Sequence, residues 1–152
     1  MVGRRHVTIE PDQLRIPAEL DRLAEVRAFV RRVAMTAGAD QGCIDDLVQA
    51  VDEAAANSVV HGFAGRPGWI EVAIDRTETD LVVTITDDAP PFDPTLLPDP
   101  DMRIPALTRG PGGMGIRLMR LATDAMDYRP RDGGGNILTF TRALAPRPKE
   151  DR

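Results

Sequence analysis

Lysine is nearly missing from this sequence. Among 152 residues the only one is Lys149, held in the stretch Pro146-Arg147-Pro148-Lys149. A P-loop NTPase needs a lysine inside its glycine-rich loop, and a eukaryotic-type protein kinase needs one on a core strand. Neither arrangement is available, so any ATP bound here must be met by backbone amides, arginine or a metal. Cysteine is just as scarce. Cys43 stands alone, which excludes an intrachain disulfide and a multi-cysteine zinc site and makes a reducing cytoplasm the expected location. No apolar run approaches the ~18 residues that would mark a membrane span. Residues 1–10 alternate polar and apolar without the apolar core of a signal peptide, so no membrane partner is expected. A formal net charge of -5 weighs against broad nucleic-acid binding, and no direct nucleic-acid partner is expected either.

What is present reads as one globular domain over residues 1–145, followed by a proline- and charge-rich tail, 146–152, expected to be disordered. Residues 6–16 read as an extended lead-in, with Val7 and Ile9 on one face and a break near Pro11. Pro17 fits the first turn of a helix, where its missing N–H costs nothing. Leu20, Leu23, Val26, Val30 and Val33 then recur at three- and four-residue intervals, which predicts an amphipathic helix ending near Gly38. Asp40 is placed to cap a second helix with the apolar face Ile44, Leu47, Val48, Val51 and Ala55, stopping near His61-Gly62.

Turn residues at 65–68 introduce Ile70, Val72 and Ile74 in strict alternation. A second turn at 77–80 leads into a β-branched run, so a hairpin is predicted. Seven of the thirteen prolines fall at positions 90–111, so regular structure is not expected there. A loop of that length in a compact domain is usually functional or disordered. A third helix follows Gly115, and residues 124–129 and 136–142 read as two closing strands around Asp132-Gly133-Gly134-Gly135. The order is strand, two helices, hairpin, loop, helix, two strands. It is satisfied by an α+β two-layer sandwich with helices on one face of a mostly antiparallel sheet.

Three stretches could carry chemistry. On the second helix Glu53, Asn57 and His61 are spaced i, i+4, i+8 and share one stripe. Most such stripes are solvated polar faces. Here, however, asparagine is a poor mid-helix residue, and Ala54, Ala55 and Ala56 leave room for something to approach the backbone. A carboxylate beside a carboxamide also suits Mg²⁺, which takes oxygen ligands and keeps several waters. Asp87 ends an apolar strand, an everyday strand exit, yet a carboxylate fixed there could accept from an adenine amino group. Gly112-Gly113-Met114-Gly115-Ile116 runs directly into a helix, where free N–H groups and the helix dipole attract phosphate and glycines let it come close. The same glycines read equally well as a hinge for the preceding loop.

In order and interval the three stretches resemble the ATP-binding boxes of the GHKL, or histidine-kinase-like, ATPase fold. His61-Gly62, Pro91-Phe92-Asp93-Pro94, Gly112-Gly113-Met114-Gly115-Ile116 and Gly134-Gly135-Asn136-Ile137-Leu138-Thr139 narrow the resemblance to the anti-sigma regulatory serine/threonine protein kinases. It covers the chain from about Leu20 to Leu144. The resemblance implies that Asn57 holds Mg²⁺ against the phosphates of ATP, and that Glu53 acts as general base or polarises the attacking group. It implies that Asp87 binds the adenine amino group with Thr139 nearby through water, that Gly113 and Gly115 cradle phosphates, and that residues 90–111 form a lid. It further implies partner switching. Such a domain sequesters a sigma factor and phosphorylates a STAS-domain anti-anti-sigma protein, and family members often form homodimers. One position departs from the pattern: Ala89 stands where glycine is expected, either for close approach to the base or for a positive φ. Two rivals remain at this level, a non-catalytic binding module of the same fold and an ATPase of that fold in another signalling system.

Overall fold

Alternation of apolar side chains sets the sheet. In the computed structural model, which describes residues 12–96, 101–105 and 114–145, five strands form one sheet: β1 (Asp12–Pro17), β2 (Trp69–Arg76), β3 (Asp80–Asp87), β4 (Ala125–Pro130) and β5 (Asn136–Ala143). Every neighbouring pair is antiparallel and the order is β1-β2-β3-β5-β4. Ile70, Val72 and Ile74 on β2, Leu81, Val83 and Ile85 on β3, and Leu138 and Phe140 on β5 are buried on one face. The residues between them face the other way, as the two-residue period of a strand requires. The predicted hairpin is present as β2–β3, and the closing pair as β4–β5.

The helices cover that buried face. Helix α1 (Leu23–Thr36), entered through a short 3₁₀ turn at Leu20–Arg22, packs over β1 and β2. It buries Leu23, Val26, Val30 and Val33 at the period read from the sequence, together with Phe29, while Leu20, expected on the same face, lies in the 3₁₀ turn and is exposed. It stops at Ala37, with Gly38 at φ 82° beyond it, the left-handed position that glycine takes most cheaply. Helix α2 (Gln41–Asn57) begins at Asp40, whose carboxylate accepts the N–H of Cys43 at 2.8 Å. A cap of this kind contributes about 1 kcal/mol. Helix α2 crosses β3 and β5, and helix α3 (Met114–Ala122) lies against its other flank, burying Ile116, Met119 and Ala122. The molecule is the two-layer sandwich the element order calls for.

Pro17 and the second helix depart from expectation. Pro17 is the last residue of β1, paired with Trp69, and not the first turn of a helix. It sits at the end of an edge strand, where a missing N–H breaks no central ladder. The second helix does not run on as an α-helix to His61. At Ser58 it widens into a π-helical turn, Ser58–Phe63, and closes on Ala64 at φ 49°. The segments before residue 12 and after residue 145 lie outside the described residues. So do 97–100 and 106–113, with Gly110, Gly112 and Gly113 among them. No described helix is long and apolar enough to cross a membrane.

Candidate functional site

At one end of the sandwich, the C-terminal half of α2, the end of β3, the start of β5 and residues 88–96 enclose a cleft. Its apolar walls include Ala54, Ile85, Ala89, Met119 and Leu138. Ala54 faces the cleft, while Ala55 goes to the core. The small side chains on α2 therefore do open space beside the helix.

Asp87 is buried, 3% exposed, at the base of this cleft. Strand alternation puts it inward with Ile85 and Val83, so a carboxylate occupies a core position. An unpaired charge there would be costly, and the structure supplies partners. One oxygen, Oδ1, accepts the backbone N–H of Ala89 at 3.0 Å and the amide of Asn136 at 2.9 Å. The other, Oδ2, accepts the hydroxyl of Ser58 at 2.9 Å. A carboxylate has about four acceptor positions, so Oδ2 keeps one for a ligand donor. Ser58 is the first residue of the π-helical turn. Such single turns recur at functional sites, and here the turn carries the hydroxyl that meets Asp87.

Ala89 is 2% exposed and lines the cleft. Among the described residues Ala64 is the only non-glycine at positive φ, so the backbone at residue 89 does not need glycine. The methyl group forms part of the wall and packs toward Gly62.

Beside Asn57, which lines the cleft, Gly115 on the first turn of α3 lies against α2. A Cβ built on Gly115 would stand 2.7 Å from a carboxylate oxygen of Glu53 and 3.4 Å from the carboxamide nitrogen of Asn57. Glu53, Asn57 and the N-terminal turn of α3 thus meet through the missing side chain of Gly115. His61 does not join them. The π-helical turn, with its i→i+5 hydrogen bonds, shifts His61 off the α-helical stripe and leaves it exposed. Gly113 lies outside the described residues.

Thr139 is not at the cleft. It pairs with Thr84 on β3 and Asp127 on β4, and these residues face away from the helices. The strand period puts Asn136 and Leu138 inward and Thr139 outward. The expected approach of Thr139 to a bound base is therefore corrected. The polar group that β5 presents to the cleft is Asn136, which is 9% exposed. Sequence reasoning passed over it, although the signal was there. Asn136 shares parity with Leu138 and Phe140 and directly follows three glycines, so it is a polar residue at an inward position.

The loop over the cleft starts out fixed. The N–H of Phe92 donates to Asn136 Oδ1 at 2.8 Å, Pro94 is buried, and the N–H of Thr95 donates to Asp93 at 2.8 Å. The Arg120 guanidinium on α3 donates to the Thr95 carbonyl at 3.0 Å. Residues 90–96 are thus docked on the body. Tyr128 on β4 donates its hydroxyl to Asn136 Oδ1 at 2.7 Å. Burial pushes its pKa above the usual phenol range, with the charges of Asp93 and Asp87 adding to the shift and a backbone hydrogen bond at Phe92 opposing it.

A buried carboxylate with one free acceptor position thus faces an apolar cleft on a two-layer sandwich, and Asn57 in the wall of that cleft lies beside Glu53 and the start of α3. Comparison with known proteins gives the family. Over residues 16–142 the chain matches the histidine kinase-like ATPase domain, and it belongs to that family. It is 37% identical over 101 residues to the serine/threonine-protein kinase BtrW of Bordetella bronchiseptica, covering 66% of this chain and 70% of that protein. It is 36% identical over 81 residues to the serine-protein kinase RsbW of Listeria innocua, covering 53% of this chain and 52% of that one. Its fold is similar to the structure of the RsbU and RsbW domains of Rv1364c from Mycobacterium tuberculosis, with a TM-score of 0.63 and 22% identity. That match covers 89% of this chain and 32% of the other. The chain thus spans about half of the Listeria relative and a third of the mycobacterial one.

Proposed function

We propose that this protein is an anti-sigma serine/threonine protein kinase: it binds Mg-ATP in the cleft, holds a sigma factor, and phosphorylates a STAS-domain anti-anti-sigma protein. The observation that carries the reading is the convergence at Gly115. The first turn of α3 comes so near Glu53 and Asn57 that a side chain at Gly115 would press on the Glu53 carboxylate, and that is the place where phosphates would meet free N–H groups and the positive end of a helix dipole. Asp87 stands in the same cleft with an acceptor to spare. Adenine would lie against Ala89 and Leu138 with its amino group donating to Asp87 Oδ2, and the phosphates would run toward Gly115.

Mg²⁺ fits this donor set in one way. Among the described residues no cluster of three or more His, Cys, Asp or Glu could hold a metal, so a cation there would take most of its ligands from phosphate and water. That is the coordination Mg²⁺ favours. Asn57 would supply the protein oxygen, and the ion would offset negative charge on the phosphates. The protein's own part is then positioning. Asp87 fixes the base, α3 orients the phosphates, and Glu53, one turn before Asn57 on the same helix face, accepts the proton of the incoming hydroxyl. Ala89 is not at positive φ, so the departure from glycine costs no backbone strain.

The experiment is transfer of labelled phosphate from ATP to STAS-domain proteins from the same genome, alongside co-elution with sigma factors. Phosphorylation of a serine or threonine on one such protein, and release of a bound sigma factor in its unphosphorylated presence, is the expected result. ATP binding with no transfer to any of them would leave a non-catalytic module of the same fold.

A further inference from the structure

The side chain of Asn136 makes more polar contacts than any role in strand pairing requires. Its position is set by the backbone. Asn136 opens β5 opposite Asp87, and the glycine before it lies so close to β3 that a Cβ on Gly135 would stand 2.0 Å from the Asp87 carbonyl oxygen. From there the carboxamide reaches both ways. Its nitrogen donates to Asp87 Oδ1 at 2.9 Å and to the carbonyls of Pro90 and Ala89 at 3.2 and 3.4 Å. Its oxygen accepts the Phe92 N–H at 2.8 Å and the Tyr128 hydroxyl at 2.7 Å. A carboxamide has two donor hydrogens and two acceptor positions, and all are engaged. The orientation is unambiguous, because the flipped amide would set its NH₂ against the Phe92 N–H and its oxygen against a carboxylate.

We propose that Asn136 is a positioning residue of the nucleotide site, clamping the Asp87 carboxylate to the backbone of residues 89–92 so that the base acceptor and the start of the loop over the cleft keep one geometry. The proposal rests on the reading of the cleft as an adenine-nucleotide site. Having no free donor or acceptor, Asn136 does not touch the base. It acts through Asp87, by holding Oδ1 so that Oδ2 points into the cleft, and through Phe92, by fixing the chain that covers the base. Base selection and loop placement therefore depend on the same side chain.

The test compares wild type with Asn136→Ala in three readouts: ADP affinity, the ratio of ADP to GDP affinity, and hydrogen exchange at the Phe92 amide. The clamp predicts that ADP affinity falls about tenfold or more, that the ratio narrows because Oδ2 is no longer aimed, and that Phe92 exchanges faster even without nucleotide. A folded variant with wild-type affinity, ratio and Phe92 protection overturns the proposal. So does a loss of ADP and GDP affinity in equal proportion, since that is what general loosening would give. If Asn136→Ala does not fold, Asn136→Thr replaces it, because one hydroxyl has a single donor hydrogen and is shorter than the carboxamide, so it cannot make all the contacts to Asp87, Pro90, Phe92 and Tyr128. The same three readouts then decide, with a smaller expected loss. If wild type binds neither nucleotide, the nucleotide reading itself has failed. The clamp is then judged on Phe92 exchange alone, and unchanged protection refutes it.

Discussion

Replacing Asp87 with asparagine tests base recognition with little change of shape. The two oxygens of Asp87 differ in what they face. Oδ1 accepts from two fixed donors, the Ala89 N–H and the Asn136 amide, so in Asp87→Asn that place must stay an oxygen. The new NH₂ group is thereby directed to the position of Oδ2. There it faces Ser58, whose hydroxyl can turn from donor to acceptor, and it faces the cleft. The fold keeps its contacts, while the ligand-facing acceptor becomes a donor. Adenine presents an amino donor where guanine presents a carbonyl acceptor. Wild type should therefore favour ADP over GDP. In the variant the adenine amino group meets another donor, at a cost of about 1–3 kcal/mol, and guanine gains a partner. Since about 1.4 kcal/mol is a factor of ten, the ADP-to-GDP affinity ratio should narrow by roughly tenfold or more. Calorimetric titration of both nucleotides into both proteins measures it. An unchanged ratio, or wild type that binds ADP and GDP equally, would refute the assignment of Asp87 to the base.

Asn57→Ala should weaken ATP binding about as much as EDTA does, and EDTA should add little to the variant; wild-type binding indifferent to EDTA would remove the metal from the account. Gly135→Ala places a side chain at φ 122° and 2.0 Å from the Asp87 carbonyl. Unfolding in urea should show a loss of at least ~1–3 kcal/mol from backbone strain, and an unchanged midpoint would show that β5 does not approach β3 so closely. Tyr128 has its pKa raised by burial first, then by Asp93 and Asp87. The folded state therefore holds its proton more tightly than the unfolded chain, so stability is intact below the unfolded value of about 10 and declines as pH rises through the folded value. Tyr128→Phe should flatten that alkaline decline in a pH series of thermal melts. Cys43, also raised chiefly by burial, contributes a decline of the same sign in both proteins, and equal slopes would contradict the Tyr128 assignment.

The helices, the hairpin and the closing strands were legible because each writes its period into the chain. Val26, Val30 and Val33 mark one helix face, and Ile70, Val72 and Ile74 mark one sheet face. Asp40 was legible as a cap because its chemistry is local. Glu53, Asn57, Asp87 and Gly115 could be marked from spacing and resemblance, although nothing in the sequence says that Gly115 closes on Glu53. Pro17 was misplaced because proline suits both a helix start and the end of an edge strand, and the pairing with Trp69 decides between them over fifty residues away in sequence. The π-helical turn left no periodic trace in six residues. The role of Thr139 came from the resemblance, while strand parity points elsewhere: counting back by twos from Phe140 gives Leu138 and Asn136. The docking of residues 90–96 was invisible for another reason. It runs through the backbone N–H of Phe92 and the carbonyl of Thr95, groups that every residue carries.

The central claim is that the cleft binds ATP and that Glu53 helps to transfer its terminal phosphoryl group to a protein hydroxyl. The direct measurement is the single-turnover rate of phosphate transfer from ATP to the cognate STAS-domain protein, for wild type and for Glu53→Gln, with ATP affinity measured on the same samples. Glutamine keeps the size of the side chain beside Gly115 but accepts no proton. Proton acceptance by a placed carboxylate contributes about 10²–10⁴-fold to rate, so the variant should transfer at least about a hundredfold more slowly while its ATP affinity changes far less than in Asn57→Ala. Transfer by Glu53→Gln at the wild-type rate would contradict the role of Glu53, and a wild-type protein that binds ATP yet phosphorylates no STAS-domain partner would contradict the kinase itself.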